Sequence, residues 1–298
     1  MADKAASVLA RLKNKAKESD RNYQLYLQLF CQEEFLRRLE RSGYADNLVL
    51  KGGLFIYSVT DFDSRVTVDV DFLLCKVPNT PQRLKAVLEE IIAASTENDF
   101  ITFEIISVAP IAVQKKYAGI SASIVAHIKN TKTPFSIDFG VGDVIVPKQE
   151  KRKIPTQLDG FAAPMVNTYS LETTIAEKID AILSLMEFSS RMKDYYDIYY
   201  LANKFDFDGK VLAEALRKTF KNRGHDFTAE QFEQVMCFDD DPAMQKKWKN
   251  FIRKIDTEID DFSTVLKTIN TFLAKPFKAA IEDKELAETW SAANGVWV

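Results

Sequence analysis

The sequence predicts an α+β protein, with a mixed sheet and helices in its first half and a helical bundle at its C-terminal end. Three observations carry this. Strand-like apolar runs recur between residues 47 and 141, separated by turn residues. Apolar residues beyond residue 170 recur at helical spacing. Between the two regimes, Pro147, Pro155, Gly160 and Pro164 break all periodicity. A chain of 298 residues suits one large or two moderate domains. The division is placed at 1–160, an α/β domain with N-terminal helices, and 161–298, a helical domain.

The elements follow in order. Residues 3–17 read as a basic helix packed by one edge, through Leu9, Leu12 and Ala16. Residues 21–41 carry Leu25, Leu29, Leu36 and Leu39 on one helical face, and Ser42-Gly43 ends that helix with a left-handed glycine cap. A short strand, 47–50, leads into Lys51-Gly52-Gly53 and a short apolar helix. A strand is expected over Val66–Leu74, then a helix over 81–96 starting at Pro81. Residues 100–108, 120–128 and 134–141 read as strands extending the sheet antiparallel. Helices are expected at 171–188, with Ser170 as N-cap, then at 192–203, 209–222, 228–236, 242–255, 261–274 and 282–291. The tyrosines from Tyr195 to Tyr200 are read as packing between helices.

Two stretches carry chemistry. Gly52 and Gly53 permit a tight turn and a close approach of backbone to ligand, and the amides opening the next helix suit a phosphate. Asp69 and Asp71 are two apart, so in a strand both point to one face, opposite Val68, Val70 and Phe72. Paired acids in an apolar strand are costly to bury without a neutralising partner. A divalent cation supplies one, and oxygen ligands favour magnesium or manganese. An isolated Asp-x-Asp is usually the wet face of a strand; joined to the glycine turn, it matches nucleotidyltransferases of the polymerase-beta type. Asp138 lies in a later apolar strand. It is either the third carboxylate of a metal site or a structural aspartate bonded to amides at Gly140 or Gly142.

Composition excludes other classes. The 46% hydrophobic content is enough for a substantial core, and no apolar run approaches the ~20 residues that span a bilayer. A formal charge of −3 argues against a generally basic nucleic-acid binder, so any nucleic-acid contact must be local. Such segments are 148–153, 217–223 (Arg217, Lys218, Lys221, Arg223) and 246–254 (Lys246, Lys247, Lys249, Arg253, Lys254), each of which could equally be a solvated face. Cys31, Cys75 and Cys237 show no metal or disulfide spacing, nor do His127 and His225. The N-terminus lacks the apolar core of a signal peptide, and a cytoplasmic location is expected.

The ordered set Lys51-Gly-Gly, Arg65-x-Thr67-x-Asp69-x-Asp71, Ile137-Asp138, Glu172 with Ala176-Glu177-Lys178, and Arg191-x-Lys193-Asp194-x-x-Asp197 resembles the AbiEii family of nucleotidyltransferase-like toxins. The resemblance covers about residues 20–205. It implies that Asp69 and Asp71 bind metal, with Asp138 as a third acid. It implies that Lys51, Gly52 and Gly53 form the phosphate-side turn, flanked by the polar Arg65 and Thr67. It further implies that Lys178 contacts nucleotide phosphates and that Asp194 is an active-site acid, so the helical domain completes the active site. Where many relatives have Ser, Thr67 still supplies a hydroxyl; where relatives have Arg-Asp, this chain has Lys193-Asp194. The implied activity is magnesium- or manganese-dependent transfer of a nucleotide from an NTP, GTP or CTP, onto an RNA, in particular tRNA. The implied setting is a type IV toxin–antitoxin system for abortive infection and phage defence, with an antitoxin that represses the operon and acts indirectly. A monomer is expected. The alternatives are transfer to a small molecule, such as an antibiotic, or to a protein, and a non-catalytic NTP-binding protein of the same fold.

Overall fold

The computed structural model describes residues 3–111, 119–255, 259 and 261–298. The chain forms two units, and neither is a simple half of the sequence: 1–142 with 150–168, and 143–149 with 169–298. The boundary expected at 160/161 falls within the segment that returns to the first unit.

In the first unit, a seven-stranded sheet has the order β3-β4-β5-β2-β1-β7-β6. The strands are β1 (Leu48–Lys51), β2 (Val70–Leu74), β3 (Ile101–Pro110), β4 (Ile120–Ile128), β5 (Thr131–Gly140), β6 (Glu150–Lys153) and β7 (Met165–Thr168). The β3-β4-β5 antiparallel extension agrees with the alternation in the sequence. β2 joins it by pairing parallel to β5 and antiparallel to β1. The sheet is therefore mixed. The expected strand over Val66–Leu74 is cut short: only Val70–Leu74 pairs, and Arg65–Asp69 is outside any ladder. Gln28 and Gln32 donate side-chain amides to the Val68 carbonyl instead, and Val68 itself is exposed rather than core.

Helices α1 (Lys4–Glu18), α2 (Tyr23–Arg41), α3 (Gly52–Val59) and α4 (Pro81–Ala93) belong to this unit. α1 buries Ala5, Val8, Leu12 and Ala16, a one-edged stripe, while Lys15 and Arg11 reach the carbonyls of Gln157 and Asp159. α2 is buried along most of its length, including four charged residues. Those four partner one another: Arg37 contacts Glu33 at 3.0 Å and Glu34 at 3.2 Å, and Arg38 contacts Glu34 at 3.4 Å. Burial pushes the Glu33 carboxyl up to about 8 despite Arg37 beside it. The end of α2 departs from expectation. Ser42, not a left-handed glycine, is the cap, and its amide bonds to Leu39 O.

The second unit is helical: α5 (Leu171–Leu185), α6 (Met192–Lys204), α7 (Gly209–Arg223), α8 (Ala229–Met236), α9 (Pro242–Ile255) and α10 (Phe262–Ile281). Ser170 caps α5 as expected, accepting from Thr173 N at 3.0 Å. Segment 143–149 is tied to the start of α5, where the Val146 amide donates to Thr173 Oγ1 at 2.8 Å and its carbonyl accepts from Ser170 and Thr173. The tyrosine cluster packs as expected: Tyr195 is fully buried edge-on to Phe262, and Tyr196 stacks on Tyr200.

The C-terminal helix expected at 282–291 is a correction. α10 runs through Pro276 to Ile281, and the following chain is extended, supplying β9 (Thr289–Ser291) and β10 (Val296–Trp297) to a three-stranded sheet with β8 (Phe207–Asp208). The cause is Trp290. It is 1% exposed and donates its indole N–H to Ala202 O at 2.7 Å, a placement that overrides helix propensity. Gly209 accommodates the same segment, since a Cβ there would lie 2.6 Å from Glu288 O.

Candidate active site

In the first unit, four strands contribute to one row of the sheet. β1 ends at Lys51, which is the register partner of Asp71 on β2. Asp71 in turn faces Asp138 on β5, and Asp138 faces Ser121 on β4. Register partners project to the same face, so Lys51, Asp71, Asp138 and Ser121 form a row across four neighbouring strands spaced about 4.8 Å apart. Both carboxylates are half-buried, and Asp138 has no hydrogen-bond partner among the described residues. Two acids side by side in a sheet are of the type that can share a divalent cation.

The turn after Lys51 fits closely against this row. Gly52 has φ +69°, and a Cβ on it would lie 2.1 Å from Asp71 Oδ2. A Cβ on Gly53 would lie 2.7 Å from Thr67 Oγ1. The two glycines thus let the backbone press against the Asp71 carboxylate and the Thr67 hydroxyl. Lys51 occupies the N-cap of α3 without a side-chain capping bond, so the first amides of that helix have no side-chain cap. Helix amides in that state attract anions. Arg65 is half-buried on the unpaired segment, and Asp69, on the same segment, is exposed.

The donor set fits a divalent metal in part. Among the described residues, no group of three His, Cys, Asp or Glu side chains could hold an ion by itself. Asp71 and Asp138 are adjacent by register, while Asp69 stands at the end of the unpaired segment. That incomplete shell suits magnesium, which takes one or two protein carboxylates and fills its other positions with substrate phosphates and water.

In the second unit, Lys178 of α5 is 9% exposed and reaches two carboxylates of α6: Asp194 Oδ1 at 2.9 Å and Asp197 Oδ2 at 2.5 Å. The other oxygen of Asp194 accepts from Arg191 Nε. Burial alone would raise the Asp194 carboxyl, but Lys178 and Arg191 outweigh it and hold it below the usual carboxylate range. Lys178 and Asp194 are therefore brought together, as the motif order suggested. Asp197, which the ordered motif set includes without a role, joins the cluster from three residues further along the same helix.

A second polar cluster in this unit was missed altogether. Arg223 pairs with Asp180 at 2.9 Å, Asp143 at 3.2 Å and Glu177 at 3.3 Å, and His225 Nδ1 lies 2.7 Å from Asp180. Burial opposes the Arg223 charge, and the surrounding carboxylates raise its pKa nonetheless. Burial, Glu177 and Asp143 push the Tyr169 phenol well above its ordinary value. The basic segment 217–223 is accordingly not an open cationic face. Arg217 pairs with Asp283 and Lys218 with Glu214. In the segment 246–254, Lys247 donates to the carbonyls of Glu187 and Ser189 at 2.8 and 2.9 Å. Lys246, Lys249 and Arg253 instead line a cavity of about 980 Å³.

Comparison with known proteins follows this geometry. The family model described as nucleotidyl transferase AbiEii toxin, type IV TA system, matches residues 34–288. No curated protein matches. Among solved structures, the chain is similar to the nucleotidyltransferase toxin MenT4 of Mycobacterium tuberculosis H37Rv, with a TM-score of 0.54 and 16% identity over 94% of this chain and 99% of that one. It is also similar to JHP933 of Helicobacter pylori, at TM-score 0.48 and 16% identity, over 84% and 95% of the two chains. Among the described residues, no helix is long and apolar enough to cross a membrane.

Proposed function

Because this chain belongs to the AbiEii family of nucleotidyltransferase toxins of type IV toxin–antitoxin systems, we propose that it transfers a nucleotide from GTP or CTP, with magnesium or manganese, to the terminal hydroxyl of an RNA. A tRNA is the expected acceptor, and the outcome is growth arrest as part of phage defence. The observation that carries this reading is the row Lys51–Asp71–Asp138 with the Gly52–Gly53 turn pressed against it. It combines a helix start that suits an anion with adjacent carboxylates of the type that ligate a divalent cation.

The roles divide as follows. Asp69 and Asp71 would hold the metal, which neutralises the triphosphate and activates the attacking hydroxyl, with Asp138 as a third acid. Lys51 and the amides after Gly52 would receive phosphate oxygens, and Arg65 and Thr67 would flank them. Lys178 would supply fixed positive charge for charge developing on the transferred group, with Asp194 beside it. The partner is an antitoxin that acts on the operon rather than on this protein. The test is incubation with each labelled NTP, magnesium and total RNA, resolved on a gel. Label in an RNA band that depends on Asp69 supports the proposal. Label only in a protein or small molecule would replace the acceptor and leave the nucleotidyltransferase core.

A further inference from the structure

We propose that the open face of β3, β4 and β5, next to Asp138, is an acceptor subsite that receives the terminal nucleoside of the RNA. The inference rests on the nucleotidyl-transfer reading given above, and every residue in it belongs to the first unit. One face of these strands is core. Ile120, Ala122, Ile124, Ala126 and Ile128 of β4 are buried there, and Phe35 of α2 meets Phe103 of β3 edge-on. The other face carries the acids. Ser136 lies two residues from Asp138 on β5, and Ser123 two residues from Ser121 on β4, so all four side chains project from one face. That step sets the two serines about 7 Å along the strands from the acid row. Ser123 and Ser136 are register partners, and neither hydroxyl bonds to another of the described residues. β3 contributes through an irregularity. Its register with β4 shifts between Ile105 and Ser107, leaving Ile106 as an extra residue that is 55% exposed. Ile106, Ser123, Val125, Pro134 and Ser136 line a concavity of about 370 Å³.

The lining suits a nucleoside. Ile106, Val125 and Pro134 offer apolar surface to a base, and the two serine hydroxyls can bond the hydroxyls of a ribose. Among the described residues, no amide, guanidinium or carboxylate side chain lines the concavity, so the edge of the base is not read there. The direction of transfer selects the acceptor over the donor nucleotide. The acceptor oxygen bonds to the α-phosphorus, the bond from that phosphorus to the oxygen bridging to the β-phosphate breaks, pyrophosphate leaves, and the hydroxyl proton passes to water. Attacking and leaving oxygens lie roughly in line. The start of α3 after Lys51, which suits phosphate, marks the β1 end of the row as the side from which pyrophosphate leaves. The attacking hydroxyl then comes from the other end, over Asp138 on β5 and Ser121 on β4. The concavity adjoins that end. The competing readings are a solvated sheet face without a ligand and a pocket for the nucleoside of the NTP.

Two variants of the full chain separate these readings. Ser123→Val/Ser136→Val removes both hydroxyls with a residue that suits a strand. Ile106→Glu sets a carboxylate at the mouth of the concavity, against the phosphates of an incoming RNA. Transfer from labelled NTP is measured against the concentration of total RNA, and NTP affinity is measured by calorimetry in magnesium without RNA. For each variant the half-saturating RNA concentration is expected to rise about tenfold, with the melting temperature and NTP affinity unchanged and the maximal rate altered less. An unchanged RNA dependence in both folded variants would overturn the subsite. So would weakened NTP affinity in both, which would assign the concavity to the donor nucleoside. If the double variant does not fold, Ser136→Ala at its exposed position takes its place, with a rise of about threefold expected and an unchanged RNA dependence overturning the subsite. Wild type that labels no RNA overturns the acceptor reading and the subsite with it. Wild type that labels RNA, with variants that behave alike, removes the subsite alone.

Discussion

The carboxylate of Asp71 fills the space that a side chain on Gly52 would need, with Oδ2 only 2.1 Å from where the Cβ would sit. Gly52 also has φ +69°, a conformation other residues adopt at a cost of about 1–3 kcal/mol. Gly52→Ala is therefore expected to lose transfer activity and to lower unfolding stability by that amount. Urea denaturation together with the labelling assay checks this; an active variant of unchanged stability would separate the turn from the acid.

Asp138 stands in register with Asp71 and has no partner among the described residues. In metal-free protein, Asp138→Asn should raise stability by about 0.5 kcal/mol, by removing a like-charge pair across strands. Added magnesium should then stabilise wild type more than the variant. Equal metal responses would argue against a shared cation.

Asp69 is exposed and lies outside the sheet ladder. Asp69→Asn is expected to keep the wild-type melting temperature while transfer falls by about a hundredfold or more, the scale of losing one electrostatic contact to a transition state. Chelation of divalent metal should do the same to wild type. Undiminished growth inhibition by folded Asp69→Asn would remove Asp69 from the metal site.

Much of this was legible in the sequence, and what was not has identifiable causes. The Lys51-Gly52-Gly53 turn and the Asp69/Asp71 pair are local signals, and strand pairing then sets Asp138 beside Asp71. β2 was overextended because Val66 and Val68 look like strand core, whereas Gln28 and Gln32 hold the Val68 carbonyl outside the ladder. The tail departs from the helix expected because Glu282–Ala287 is helix-compatible, whereas contacts distant in sequence, the Ala202 carbonyl and the Phe272 ring, draw Trp290 into the core. The Arg223 cluster depends on residues from Asp143 to His225, a separation over which spacing says nothing.

Asp194 makes stability acid-sensitive in a defined direction. Its folded pKa lies below the usual carboxylate range, so its contribution is present above that range and is lost as pH falls through the folded pKa. Wild type should therefore lose stability on acidification below about pH 4. Asp194→Asn should be weaker at neutral pH, since Lys178 then keeps only Asp197 and Arg191 loses its carboxylate, and should show a flatter acid limb. Chemical denaturation between pH 3 and 7 reads both; parallel profiles would contradict the assignment.

The lysines of α9 should not behave alike. Lys247→Glu is expected to destabilise the protein, because its ammonium holds the carbonyls of Glu187 and Ser189. Lys246→Glu/Lys249→Glu should leave the melting temperature unchanged, leave NTP binding intact and reduce RNA labelling, with the deficit shrinking as salt rises. Unaltered RNA labelling by the Lys246/Lys249 pair would place the acceptor elsewhere.

The chain leaves the first unit after Gly142, comes back at Glu150, and leaves again after Thr168. A crossover between two related genes at one point in this region cannot exchange a whole unit: a breakpoint before β7 would hand Leu50 a foreign neighbour in place of Thr168. Modular swapping among relatives would need matched breakpoints at three places, so inheritance of the two units as one block is the expected pattern. Fragment complementation faces the same geometry. A first-unit fragment ending at residue 160 or 165 lacks the β7 strand, whereas one ending at Thr168 keeps the strand that pairs with β1, yet still drags along seven residues that pack with the other unit.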